Sequence, residues 1–252
     1  MHRFFVKPED INKDEGTAVI SGEAVKHITR VLRLIRGDNM VIADGWGNSY
    51  LVEISALAKD KVLVNIVEAL QEYREPPVKV VLAQALAKGE KMDYIVQKCT
   101  ELGVSEIIPV VTERTVVKLD AEKAGDKILR WRKIARGAAE QSRRNFIPLI
   151  RKVSGLKEVL EGKNKETRCI FLWEQEREQG IKEVLRKAGS TKEVMIIVGP
   201  EGGFSEVEAD LALSWGAVPV TLGPRILRTE TAGLAALTIV LYELGDLGGR
   251  YE

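Results

Sequence analysis

The stretch Val194-Met-Ile-Ile-Val198, running straight into Gly199-Pro-Glu-Gly-Gly-Phe-Ser205, limits what this chain can fold into more than any other. Five apolar residues, four of them β-branched, predict a buried strand, and the glycine and proline cluster after it predicts a sharp turn. Ser205 and Glu208 stand at capping-box spacing, so a helix is expected to start there. A strand, a bare glycine turn and a helix N-terminus together offer backbone N–H and C=O groups to a ligand. Taken alone, the pattern also fits an ordinary tight turn in an α/β sheet. A second loop narrows the choice. Ala217-Val-Pro-Val-Thr-Leu222 reads as another strand, and Gly223-Pro-Arg-Ile-Leu-Arg-Thr-Glu-Thr-Ala232 leads from it into a long apolar helix. Two glycine-proline turns at successive strand ends face one edge of a parallel sheet, where open α/β folds bind ligands.

Residues 1–72 have a different texture. Short β-rich runs at 17–20, 39–43, 50–54 and 61–67 alternate with turn signals such as Asp44-Gly45, a pattern that predicts a small β-barrel. One helix interrupts them, expected to be capped by Ser21 with Glu23 in its first turn. Val25, Ile28 and Leu32 line one face and Lys26, Arg30 and Arg33 another. From Val25 to Arg36 there are four Lys or Arg and no acid, a basic patch in a chain whose net charge is only +1. Phosphate binding and a solvated helix face both fit that patch. Tyr73-Arg-Glu-Pro-Pro77 is the expected linker, because two prolines enforce extended chain. From 78 to 252, strands at 78–83, 105–111 and 168–173 alternate with helical stretches, which predicts a parallel α/β sheet.

Between Lys127 and Lys152 stand nine Lys or Arg against one acid, Glu140. Ile128, Trp131, Ala135 and Ala138 make a buried stripe, leaving Arg132, Arg136 and Arg143 to point elsewhere. A run of one sign repels itself and needs a polyanion, or acids from elsewhere, to offset it. Contact with RNA is the expectation for Arg136, Arg143 and Arg144. The helix after Thr229 has almost no polar face, so it is expected to be buried all round, by the rest of the chain or by a second subunit.

Several chemistries lack their residues. Neither glycine loop carries the lysine of an NTPase phosphate loop, and both follow late strands, unlike a Rossmann fingerprint. His2 and His27 are the only histidines, and no Cys/His cluster provides a zinc ligand set. No nucleophile-elbow serine appears. Cys99 and Cys169 have no disulfide-framework spacing, the N-terminus has no apolar leader pattern, and residues 231–242 are too short an apolar run to span a bilayer. A soluble cytoplasmic protein is expected.

The pairing of Gly199-Pro-Glu-Gly-Gly203 with Leu222-Gly-Pro-Arg-Ile-Leu-Arg-Thr-Glu-Thr-Ala232 resembles the knotted, SPOUT-type RNA methyltransferases, and within them the RsmE family. That family methylates N3 of a uridine in bacterial small-subunit (16S) ribosomal RNA. His27-Ile-Thr-Arg-Val-Leu-Arg33, Lys98-Cys-Thr-Glu-Leu-Gly-Val104 and Ala139-Glu-Gln-Ser-Arg143 also look like it. The resemblance implies a PUA-like RNA-binding domain over 1–72 and a methyltransferase domain with a deep trefoil knot over 78–252. It also implies a homodimer and S-adenosylmethionine as methyl donor, with no metal. Leu172, Gly199, Pro200, Glu201, Gly202, Leu222, Gly223, Ile226 and Leu227 would frame that cofactor, while Lys26, Arg30 and Arg33 would meet RNA. Uridine N3 carries a proton at neutral pH, so the reaction needs a base or a group that stabilises the anion. Arg228 is the candidate for the anion, and Glu201 or Glu230 for the base, although Glu230 also fits a first-turn carboxylate behind a Thr229 cap. A non-catalytic RNA-binding or ribosome-assembly factor of the same fold stays open.

Overall fold

The structure, a computed structural model, describes residues 1–71, 74–117, 120–187, 189 and 191–249, with Ala121 described by its backbone alone. Residue 72 and Tyr73, where the first domain is expected to pass into the linker, lie outside the described residues. By contact the chain forms two compact units, residues 1–75 with 139–147 and residues 76–138 with 148–252.

In the first unit, β1 (Arg3–Phe5), β2 (Ile11–Asn12), β3 (Thr17–Ser21), β4 (Asn39–Ala43), β5 (Ser49–Leu57) and β6 (Lys61–Leu70) form one sheet in the order β1-β4-β5-β6-β3-β2. β1 and β4 run parallel and the other pairs antiparallel. Among the described residues β1 and β2 share no ladder, so the curled sheet stays open where a barrel would close. Register shifts between β5 and β6 help it bend. Period-two alternation sends Ile20, Met40, Ile42, Val52, Ile54, Val62 and Val64 into one core, over which α1 (Glu23–Lys26) and the wider helical turn His27–Val31 lay Val25 and Ile28. The expected Ser21 cap is not formed. Ser21 is still paired with Lys61 in the ladder, and Gly22, at φ 74°, takes the N-cap position without a side chain to offer.

The segment 139–147 is fastened within this unit by Glu75. That carboxylate receives Arg144 at 2.5 Å and the N–H groups of Asn145 and Phe146 at 3.1 and 3.2 Å. The Asn145 side chain is bonded in turn by Arg3.

In the second unit, β7 (Lys79–Ala85), β8 (Glu106–Val111), β9 (Leu149–Ile150), β10 (Ser154–Gly155), β11 (Arg168–Leu172), β12 (Glu193–Val198) and β13 (Val218–Val220) make a wholly parallel sheet. Its order is β10-β8-β7-β12-β11-β13, with β9 also on β8. Among the described residues six helices complete the unit, α3 up to residue 138: α2 (Lys91–Leu102), α3 (Ala121–Gln141), α4 (Leu156–Glu161), α5 (Ile181–Arg186), α6 (Glu206–Ser214) and α7 (Thr229–Leu244). Residues on one face of the sheet, among them Val80, Leu82, Ile107, Ile170 and Ile196, pack with α2, α3, α5 and α7; Val81, Ala83, Val110, Phe171 and Ile197 pack with α4 and α6 on the other. Burial on both faces is why these strands read as unbroken apolar runs. Cys99 lies in the first layer and Cys169 in the second, and burial pushes both thiols up to about 12.

After β13 at the sheet edge the chain turns back, and α7 packs over β7, β12 and α2. Its inner face, with Ala236, Leu237, Val240 and Leu241, is buried. The expectation of burial all round fails within one chain: Leu234, Ala235 and Ile239 are half-buried, and Tyr242 is 68% exposed.

Candidate active site

A cavity of about 1090 Å³ opens at the ends of β11, β12 and β13. The loop after β11 contributes Leu172, Trp173, Glu174, Glu176 and Arg177; the turn after β12 contributes Gly199, Pro200, Glu201, Gly203 and Phe204. The whole stretch from Val220 to Thr229 forms the third wall, and Lys91 of α2 stands at the rim. Apolar side chains and exposed main chain thus surround a space that has a few charges at its edge.

Of the residues expected to hold a cofactor, Leu172, Gly199, Pro200, Glu201, Leu222, Gly223, Ile226 and Leu227 all line this cavity, as does Arg228. Gly202 does not. Its carbonyl accepts from Arg114 Nη1 at 3.0 Å, and a Cβ at this position would meet the Arg114 side chain at an ordinary 3.4 Å. The turn needs glycine at two other places. Gly203 sits at φ 68°, and a Cβ on it would lie 3.1 Å from Glu174 Oε1. A Cβ on Gly199 would lie 2.9 Å from the ring of Phe204, which is itself packed on Phe171 with ring centres 4.4 Å apart.

Two sets of contacts tie the turn after β12 to the start of α7. Beneath the cavity, Thr229 Oγ1 donates to the Gly199 carbonyl at 2.6 Å and accepts from Nε2 of Gln84, a fully buried residue of β7, at 2.8 Å. The expected Thr229 cap is therefore replaced: Arg228 holds the N-cap position by its backbone, and the Thr229 hydroxyl is occupied by Gly199 and Gln84. At the rim, Lys91 Nζ lies 3.0 Å from Glu201 Oε1 and 3.2 Å from Glu230 Oε2, the latter off the line of a hydrogen bond. The Lys88 N–H adds a long contact of 3.4 Å to Glu201. Burial pushes the Glu201 carboxyl up, but its own N–H, the Lys91 ammonium and the Lys88 N–H outweigh this and hold it below the usual carboxylate range. A carboxylate so held accepts a proton poorly, which argues against Glu201 as the base. Glu230 shares the same ammonium. Arg228 is exposed on the cavity wall, and no carboxylate among the described residues pairs with it.

The helix after β12 starts as its spacing predicts, with the reciprocal Ser205–Glu208 capping box formed. Lys26, Arg30 and Arg33 of the first unit are exposed, as are Arg136 and Arg143. Arg144 is turned inward and only 4% exposed, because Glu75 holds its guanidinium; it is not available to RNA. Other members of the basic run have also found acids: Arg130 with Asp93 at 2.5 Å, Arg151 with Glu106 at 2.7 Å and Lys152 with Glu158 at 2.8 Å. Among the described residues no group of three His, Cys, Asp or Glu side chains is placed to hold a metal ion, and no helix is long and apolar enough to cross a membrane.

Sequence reasoning missed Lys91, Gln84 and the role of Thr229. Two signals were there to be read. A glutamine interrupts the apolar strand Val80-Val-Leu-Ala-Gln-Ala85, and a lysine opens α2, where the helix dipole favours an acid.

Residues 74–241 match the RNA methyltransferase domain family, and residues 20–67 match the RNA methyltransferase PUA domain family. The chain is 38% identical to a ribosomal RNA small subunit methyltransferase E of Bacillus subtilis over 99% of both chains. It is 33% identical to the protein of that name from Synechocystis, over 94% of this chain and 76% of the other. Among solved structures it matches a ribosomal RNA small subunit methyltransferase E from Neisseria gonorrhoeae bound to S-adenosyl methionine, with a TM-score of 0.87 and 32% identity over 98% of this chain and 99% of that one. A putative methyltransferase from Legionella pneumophila in complex with the same cofactor gives a TM-score of 0.82 and 35% identity, over 97% and 98%.

Proposed function

We propose that this chain, which belongs to the ribosomal RNA small subunit methyltransferase E family, methylates small-subunit (16S) ribosomal RNA with S-adenosylmethionine as donor, at N3 of a uridine. The observation that carries this is the cavity itself, built from three strand-end loops, in a chain that matches a cofactor-bound relative over nearly its whole length. The residues present fit the donor. Leu172, Val198, Val220, Leu222 and Leu227 offer an apolar slot for an adenine ring, and the glycine turns offer bare main chain for its polar edge. Glu201 and Glu174 on the wall suit a ligand that carries positive charge.

The bound donor supplies a methyl group on a cationic sulfur, open to in-line displacement. The chain's part is to hold donor and base in line, which supplies much of the acceleration. Arg228, which no carboxylate among the described residues pairs with, stabilises the anion left when N3 gives up its proton to solvent. Lys26, Arg30, Arg33, Arg136 and Arg143 meet RNA phosphates from their exposed positions. We assign residues 1–72 to RNA binding, 73–77 to the linker and 78–252 to catalysis. The return of the chain from β13 to the middle of the sheet supports a trefoil knot closed by the 221–228 loop. The half-covered outer face of α7, with Leu234, Ala235, Ile239 and Tyr242, supports a homodimer. A ribosomal substrate puts the protein in the cytoplasm.

The test is to incubate the protein with labelled S-adenosylmethionine and undermethylated small subunits, then digest the RNA. Label in a 3-methyluridine is expected. Tight cofactor and RNA binding without transfer would instead leave a binding or assembly factor.

A further inference from the structure

Lys91 is a cation in a place that does not favour one. It is the first residue of α2, where the unsatisfied N–H groups and the helix dipole prefer negative charge. What stabilises it there is a pair of carboxylates from two other elements, Glu201 in the turn after β12 and Glu230 in the first turn of α7, with the ammonium 3.0 and 3.2 Å from them. All three side chains are only partly exposed, so water screens them incompletely. The hydrogen bond to Glu201 holds the Lys91 ammonium above its usual range. Of the other acids on these elements, Asp93 takes Arg130 and the indole N–H of Trp131, and Glu176 accepts the N–H groups of Glu178 and Gln179, while Glu90 just before Lys91 and Glu174 on the cavity wall add negative charge to the same neighbourhood. Arg228, on the cavity wall, is the remaining charge at the start of α7.

The two carboxylates thus share one counter-ion, and they belong to the turn after β12 and to the start of α7, which both border the cavity. We propose that Lys91 is a positioning residue for the methyl transfer: by pairing with Glu201 and Glu230 together, it cancels their repulsion and locks the turn after β12 to the start of α7. The inference rests on the cavity being the S-adenosylmethionine site. It divides labour with the buried tie below. The Gln84–Thr229–Gly199 contacts fix the main chain of the two loops, and Lys91 fixes the side chains that stand at the cofactor's edge.

The repulsion gives the lock a signature that packing would not have. With Lys91 gone, two carboxylates face each other, and one of them is pushed up until it takes a proton as the pH falls. Repulsion is then strongest at pH 8, where both are ionised, and weakens as the pH is lowered towards 5 and the carboxylates begin to take protons. Calorimetric titration of the full chain with S-adenosylmethionine at both pH values reads this, taking each variant as a ratio to the unaltered protein so that the cofactor's own ionisation cancels. Lys91→Met should bind about tenfold more weakly than the unaltered protein at pH 8, and the deficit should narrow at pH 5. Lys91→Met combined with Glu230→Gln, which removes the second negative charge at a residue outside the cavity lining, should recover to within about threefold at pH 8. A deficit equal at both pH values, or one not recovered by Glu230→Gln, overturns the inference, as does Lys91→Met binding like the unaltered protein at pH 8. Absence of binding by the unaltered protein overturns the site reading, and the inference with it.

Discussion

The glycine turns at the sheet edge and the basic run from Lys127 to Lys152 both concentrate groups that a ligand could use, but the chain treats them differently. In the turns the groups are main-chain atoms, their directions set by Gly199 and Gly203, and the cavity they border stays open. In the basic run the groups sit on long flexible stems, and Asp93, Glu75, Glu106 and Glu158 have taken four of them. A turn fixes its main-chain groups in place, so the space beside them persists even where Gly199, Gly202 and Gly203 bond within the fold, whereas a guanidinium on a flexible stem can swing away to an acid. Charge density along a sequence is therefore a poorer guide to an open site than backbone geometry is.

Four measurements sharpen or break that contrast. The largest effect is expected from Glu75→Ala, which removes from a buried guanidinium the carboxylate that also anchors Asn145 and Phe146. A loss of about 3 kcal/mol is expected in denaturant unfolding. A loss below about 1 kcal/mol would put Arg144 back among surface cations. Next comes Gly203→Val, which forces a β-branched residue to φ 68° and brings its Cβ to 3.1 Å from Glu174. S-adenosylmethionine affinity should fall about a hundredfold, or about 2.7 kcal/mol, with the fold retained by circular dichroism. Unchanged affinity would undo the assignment of the turn.

The exposed arginines of the first unit should act through salt. Arg30→Ala with Arg33→Ala should flatten the dependence of RNA affinity on salt by about 0.7 to 0.9 in log–log slope for each phosphate that is no longer neutralised. Arg151→Ala, whose guanidinium is held by Glu106, should leave that slope alone. Equal slopes for both variants would erase the distinction between open and engaged cations. The smallest effect belongs to Gly202→Val, whose Cβ has Arg114 as its nearest neighbour at an ordinary 3.4 Å and which should keep cofactor affinity within about twofold.

Where the sequence was legible, the information was local. The period-two runs of the first unit and the capping box at Ser205 each depend on a few adjacent residues. What stayed hidden depends on partners far along the chain. Ser21 fits a cap until its pairing with Lys61 is known. Gly202 and Gly203 look alike in sequence, and only the fold separates them: Gly203 takes φ 68° against Glu174, while Gly202 faces Arg114 with ordinary room for a Cβ. Residues 139–147 cluster with the first unit through Glu75, more than sixty residues earlier, and no composition shift marks that. The lock at Lys91 joins three elements whose proximity comes from strand order alone.

Cys99 and Cys169 give the second unit a pair of internal clocks. They lie in opposite layers of its sheet, and with both thiols pushed up to about 12, almost no thiolate exists near neutrality even before access is considered. A thiol reagent therefore labels each one only as fast as its own layer opens. Single serine replacements would let the two rates be read apart. Equal rates mean that the layers open as one cooperative body, and unequal rates identify which layer breathes first.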